Sequence, residues 1–442
     1  MASGPSAKLC QWRWRAFPEI EMAESVNIPG GLQVRHDTSA WAPLKEPLFR
    51  SLWGAAVISY IGTWMQNVGA GWLMTQLTTS PLMVSLVTAA TTLPVFLVIL
   101  PAGALADMVD RRRFLLITQG WMVVASAALG ILTLTGTVSP WILLIFTFLL
   151  GLGAVMNDPA WQAITPEIVS AEQHAPAVAL NSVGFNVARA VGPALGGAVI
   201  AMAGSGTAFL LNAVSFFGVI TFLYRWKRPH VEHVEKGKVT EAIVAGFRYM
   251  QTAPVVQCVL IRTGAFSVGA SCLLALLPLL ARPHGATGYG LLLGSFGLGA
   301  LLGAALLPRL RTRLSVDGLV AVAIVVFAAM TFAAGRGESF SLLSLVLFVS
   351  GMAWIGILAC LNVAAQTMSP PWLRARALSM YLLVLQGGMA LGSAAWGALA
   401  TRIGVPSTLL CSALALAAGL VAVRRYRLTA AELQLAPTVV RD

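Results

Sequence analysis

Apolar runs of about twenty residues recur along most of this chain, and each is long enough to cross a hydrocarbon core of roughly 30 Å. No other feature constrains the fold as much. Only 10% of the 442 residues are charged, against roughly 25% in soluble domains, and the mean hydropathy is +0.80. The chain reads as an all-α integral membrane protein. Breaks at polar, Pro and Gly positions give twelve predicted transmembrane helices, near 51–76, 81–105, 114–135, 140–163, 177–203, 207–225, 255–281, 287–308, 315–335, 340–367, 376–401 and 405–424.

The one long internal gap falls between helices 6 and 7, so the chain divides six and six. Residues 1–50 read as a polar, disordered cytoplasmic leader, with Met22 a second candidate start, and no cleavable signal peptide is expected. Residues 51–225 form the predicted N-terminal bundle, 226–254 a cytoplasmic linker, 255–424 the C-terminal bundle and 425–442 a cytoplasmic tail. Within the linker, Val239 to Met250 shows the spacing of a short amphipathic helix lying on the membrane surface.

Charge sets the expected orientation. Of the Lys and Arg residues outside the helices, 24 fall on the side of the leader, linker and tail, and three (Arg282, Arg336, Arg402) on the other. Basic loops stay inside, so both termini are expected in the cytoplasm of a multi-pass protein. The net charge of +12 is accounted for by these loops, and no nucleic-acid motif accompanies it. The five cysteines show neither paired nor metal-ligand spacing, and no metal or cofactor is expected.

The halves also align with each other. "WQAITP" at 161–166 matches "AQTMSP" at 365–370, and "GPALGGAVIAMAG" at 192–204 matches "GSAAWGALATRIG" at 392–404. Gly192, Gly197 and Gly204 thereby meet Gly392, Gly397 and Gly404. Helices 4–5 pair with helices 10–11, and two six-helix pseudo-repeats follow, an arrangement found in transporters.

Two motifs stand out. Helices 2 and 3 are joined by "GALADMVDRRR" at 103–113, and helix 5 carries Gly192-Pro193 with Gly196-Gly197. The first resembles the signature loop of the major facilitator superfamily, and the resemblance makes Gly103, Asp107, Arg111, Arg112 and Arg113 a cytoplasmic latch. Asp110 departs from that pattern, which usually has Gly there. The alternative is a basic loop that only sets topology. The second resembles the antiporter signature of exporters in the same superfamily. Small residues let helices approach closely and the proline bends its helix, so an ordinary packing face is the alternative.

"PLFRSLW", "LPVFLVILPAGALAD", Gln162, Pro166-Glu167, "ALNSVGFNVARAVGP" and "LRARALSMYLLVLQGGMALGS" are similar to the bacterial branch that contains enterobactin-exporter-like and macrolide-efflux-like proteins. That resemblance covers about 43–425. It implies a twelve-helix major facilitator fold in a bacterial cytoplasmic membrane and, for function, proton antiport of a small amphipathic compound by alternating access. The partners implied are the substrate, protons and lipid, with no nucleic acid, and a monomer is expected. An importer or facilitator without antiport is the alternative. A non-transporting scaffold or sensor is the alternative from another class. No catalytic triad, phosphate loop or metal cluster points to an enzyme.

Three ionisable side chains fall inside predicted helices, where each costs about 2.5–3.5 kcal/mol or more at the bilayer centre. Arg189 lies roughly 18 Å into helix 5, near the midplane, and aligns with Met389, so the repeat does not require a cation. It serves substrate or coupling, or else a buried structural partner. Asp158, late in helix 4, is the candidate for proton coupling, with pairing to the latch arginines as the alternative. Arg262, early in helix 7, is expected to snorkel. Tyr60, Trp64 and Asn67 share one face of helix 1. With Gln162 and Asn186 they are expected to line the substrate cavity, or to hydrogen-bond between helices. Helix 8, with Gly290, Gly294, Gly297, Gly299 and Gly303, is expected to serve packing and carry no chemistry.

Overall fold

The computed structural model describes residues 40–108, 110–226, 254–337, 339–367 and 374–423, with backbone alone at 100–108, 254, 255 and 375. Among the described residues the chain is helical throughout, with no strand. The N-terminal half holds α1 (Pro47–Leu77), α2 (Pro81–Met108), α3 (Arg111–Leu134) and α4 (Pro140–Ile168). The helical stretch His174–Arg225 follows, broken at Gly204. We name its arms α5 (174–203) and α6 (205–225). The C-terminal half holds α7 (Pro254–Leu280), α8 (Gly285–Arg311), α9 (Val316–Ala334), α10 (Phe340–Thr367), α11 (Arg374–Ile403) and α12 (Val405–Ala422).

Local chemistry sets the ends of these helices. Ser139 and Ser315 cap α4 and α9 by accepting from Ile142 N (3.3 Å) and Gly318 N (3.1 Å). Pro47 and Pro140 open their helices at positions where no N–H is needed. α1 begins at Pro47, four residues before the sequence predicts. A 3-10 turn over Ala42–Lys45 precedes it, and Phe49 is buried against Val169, Ala177 and Leu180. The predicted amphipathic helix at 239–250 lies outside the described residues.

Ten helices among the described residues are long and apolar enough to cross a membrane. One of them is the stretch that Gly204 divides. α1 is not among the ten, because Tyr60, Thr63, Gln66 and Asn67 dilute its apolar run. Large apolar side chains such as Ile117, Val124 and Leu391 face outward, as lipid contact requires and water does not favour. The protein is a multi-pass membrane protein.

The three glycine pairs aligned in the sequence perform matching tasks. Gly204 has φ 79°, ψ 166° and Gly404 has φ 81°, ψ 162°. Both turn the chain between consecutive helices in a region that β-carbons disfavour. Gly192 lets α5 approach α1: a Cβ there would lie 2.6 Å from Trp64 Cβ. Gly392 lets α11 approach α7, where a Cβ would lie 2.9 Å from Val268 Cα. Gly197 meets Gly290 of α8, in the other half, with its Cβ position 3.0 Å from Gly290 Cα. Gly397 meets α2 across the same divide, 3.1 Å from Leu82 Cα. The pairs α5·α8 and α11·α2 are thus one contact made twice, and they join the halves.

Candidate functional site

The site is built where α1, α4 and α5 face the other half. A cavity of about 260 Å³ is lined by Tyr60, Trp64, Asn67, Asp158 and Phe185, with Gln386 reaching it from α11. A neighbouring chamber of about 500 Å³ shares Tyr60, Asp158 and Phe185 and adds Gln162, Thr165 and Asn186. Phe185 sits edge-on to Tyr60 with centroids 5.5 Å apart, and 6.3 Å from the Trp64 ring. A third chamber of about 230 Å³ contains Arg189, Pro193, Tyr289 and Phe296 and shares Trp64 and Asn67 with the first. Tyr60, Trp64, Asn67, Gln162, Asn186 and Arg189 are thus spread over three chambers.

Their partners differ. Asn186 directs its amide to Ser182 O of its own helix (2.8 Å). Gln66 belongs to a buried knot instead, accepting from Ser126 (2.7 Å) and from Asn212. Asp158 is exposed to the cavity, and no hydrogen bond or ion pair joins it to another described residue. It does not pair with the latch arginines. It does not pair with Arg189 either, which lines a different chamber.

The Arg189 guanidinium carbon lies 5.7 Å from the centroid of Trp64 and 5.9 Å from that of Phe296. One ring comes from each half. This is within cation–π range, and no described carboxylate or carbonyl accepts from Arg189. Phe296 and Tyr289 belong to α8, to which the sequence assigns packing alone. The α8 glycines do pack: Gly297 sits so close to α5 that a Cβ would lie 2.6 Å from Arg189 O. That closeness carries Phe296 to the arginine and Tyr289 to the same chamber.

In the 103–113 loop, Gly103 and Asp107 lie where only backbone is described. Asp110 caps α3, accepting from Arg113 N at 2.9 Å. Arg111 pairs with Glu167 at the end of α4 (2.8 Å). Arg112 donates to Leu223 O (2.6 Å) and Tyr224 O (2.7 Å), the last carbonyls of α6, where a cation complements the helix dipole. These contacts tie three helix ends of one half together. In the C-terminal half, Arg262 pairs with Asp317 of α9 and is buried. It does not reach outward as the sequence predicts, because a carboxylate in the first turn of α9 lies within its reach.

The two ends of the site are unequal. Arg282, between α7 and α8, donates to Thr75 O and to Thr78 O (2.9 Å for the latter) at the end of α1. Trp72 stacks on Tyr289 nearby, with centroids 6.4 Å apart. The close approaches of Gly197 to Gly290 and of Gly397 to α2 lie toward the same end. The chamber of about 500 Å³ lies toward the other, reaching Thr165 and Val178 beside the α4–α5 turn.

Comparison with known proteins agrees with this architecture. Residues 38–439 match the family model described as transmembrane secretion effector. The chain is 28% identical to the multidrug efflux pump Tap of Mycolicibacterium fortuitum, over 87% of this chain and 97% of that protein. It is 28% identical to the staphyloferrin A transporter of Staphylococcus aureus over 37% of this chain, but spans only 41% of that protein. It is 26% identical to the enterobactin exporter EntS of Salmonella choleraesuis, over 58% of this chain and 63% of that protein. Among solved structures, the POT family transporter PepTSo superposes with a TM-score of 0.71 at 12% identity, covering 88% of this chain and 99% of that one. A bacterial homolog of the lysosomal transporter Spinster, inward-facing and unoccupied, gives 0.65 at 15% identity, covering 89% and 98%. The fold is that of the major facilitator superfamily, and within it the chain belongs to the transmembrane secretion effector family.

Proposed function

We propose that this protein exports a small amphipathic molecule from the bacterial cytoplasm by proton antiport, its two six-helix halves rocking around the central cavity. The reading includes twelve membrane crossings, both termini in the cytoplasm and a functional monomer. The observation that carries it is the inequality of the two ends. Arg282, Trp72 and the glycine contacts close one end across the halves, while the chamber around Asp158 opens beside the basic loops. With basic loops inside, this is a state that loads from the cytoplasm. The efflux pump and siderophore exporter among its relatives support the direction of transport.

Asp158 is the proton-coupling group in this reading. It is the carboxylate with no described partner at a cavity surface, so it is available to exchange a proton as the cavity changes its face. The 103–113 loop is the cytoplasmic latch, and its clamp on α4 and α6 makes the N-terminal half move as one body. Tyr60, Trp64, Asn67, Gln162 and Asn186 contribute to the walls that hold substrate.

The test is expression in a bacterium stripped of its own exporters, with a panel of amphipathic dyes and drugs. Expression lowers cellular accumulation of at least one compound, and a protonophore abolishes the effect. Raised accumulation contradicts export. Lowered accumulation that ignores the protonophore contradicts antiport.

A further inference from the structure

Arg189 and its surroundings point to the chemical class of the transported molecule. A guanidinium carries five N–H donors in a planar fork that matches a carboxylate in two parallel bonds. Here it is placed between Trp64 and Phe296, which steady the charge but accept no hydrogen bond. Four other donors line the same chamber and are likewise unused among the described residues: the Trp64 indole N–H, the Asn67 amide, the Thr88 hydroxyl and the Tyr289 hydroxyl. Thr91 and Thr92 direct their hydroxyls to their own helix, at Val87 O and Thr88 O (2.9 Å each). No acidic side chain among the described residues lines the chamber. Unmatched donors around one cation, with no counter-charge, make a receptor that is complete only when an anion enters it.

We propose that this chamber binds the carboxylate of an aromatic or otherwise apolar organic acid, with Arg189 as the anion receptor and Trp64, Phe296 and Tyr289 as walls for its body. The claim rests on the export reading for its meaning as a substrate site, but not for its chemistry. Trp64 belongs to one half and Phe296 to the other, so a bound acid touches both halves. When the halves part, Arg189 keeps one ring and loses the other, which links release of the acid to rocking.

The experiment uses full-length protein in lipid nanodiscs and a matched pair of radiolabelled probes, 1-naphthoate and its neutral amide 1-naphthamide, with empty nanodiscs as the blank. A charge-assisted bidentate pair predicts that the acid binds about tenfold or more tighter than the amide. Arg189→Met and Arg189→Gln abolish that preference, while Arg189→Lys, which keeps the charge but not the fork, keeps part of it. Equal binding of acid and amide by the wild type overturns the proposal, and this comparison needs no variant to fold. A preference that survives Arg189→Met also overturns it, as does a variant that weakens both probes equally. The readout is binding alone. Preference without any transport leaves the anion site standing and contradicts export. Transport with no preference does the reverse.

Discussion

Helices α4 and α5 carry Asp158 and Arg189, and at the matching positions α10 and α11 carry Asn362 and Met389. The two pairs of helices share their glycine contacts and the positive-φ glycine that follows the second helix. They differ in what they do with polarity. Asn362 accepts from Gln366 at 2.6 Å, and Met389 is buried in the apolar core of its half. Among the described residues the counterparts Asp158 and Gln162 make no such bond, and Arg189 stands in a cavity with no hydrogen-bond partner. The C-terminal copy shows that the fold needs neither charge. Two costly charges kept in one copy only are therefore the residues to which the proposed coupling and binding roles are given.

The comparison breaks most sharply at Asp158. Replacing it with the residue of the other half, Asp158→Asn, is expected to reduce gradient-driven export to the level of empty vesicles while leaving probe binding in place. Export at the wild-type rate would return Asp158 to a structural role. The reverse exchange at the other position, Met389→Arg, puts a cation into an apolar core, at a cost of about 2.5–3.5 kcal/mol. Thermal unfolding in detergent should drop accordingly, and an unchanged midpoint would mean the halves are more alike than their packing indicates.

Arg189→Met makes α5 match α11. It is expected to slow export of an acidic substrate about tenfold at unchanged expression, read as initial rates in vesicles. Full activity would end the asymmetry argument at that position. The smallest effect belongs to the latch. Arg112→Gln removes the cation at the end of α6 and is expected to lower stability by about 0.3–1 kcal/mol, measured by the same unfolding assay. No shift would mean that Leu223 O and Tyr224 O are satisfied without it.

Much of this architecture was legible in the residues. Helix positions followed from apolar runs, and the alignment of Gly192, Gly197 and Gly204 with their partners marked positions that the structure uses for two close helix approaches and one chain turn in each half. Other features depended on neighbours that no local pattern specifies. Phe296 reaches Arg189, and Tyr289 its chamber, only because Gly290 and Gly297 bring α8 against α5 across the two halves. Their spacing along α8 reads as ordinary packing. Arg262 finds Asp317 through the register of α7 on α9. Asp110 is a different case. It departs from the family loop, yet an acid immediately before a helix is a capping signal, and its bond to Arg113 N was open to prediction from that rule.

The most direct test of the account is proton movement tied to substrate in reconstituted vesicles. The protein is sealed into liposomes with a preformed proton gradient and an internal pH dye, and the compound found by the efflux screen is added. The compound is expected to collapse the gradient with wild-type protein and to leave it intact with Asp158→Asn. Collapse of the same size in both, or in neither while the compound still crosses, would contradict it.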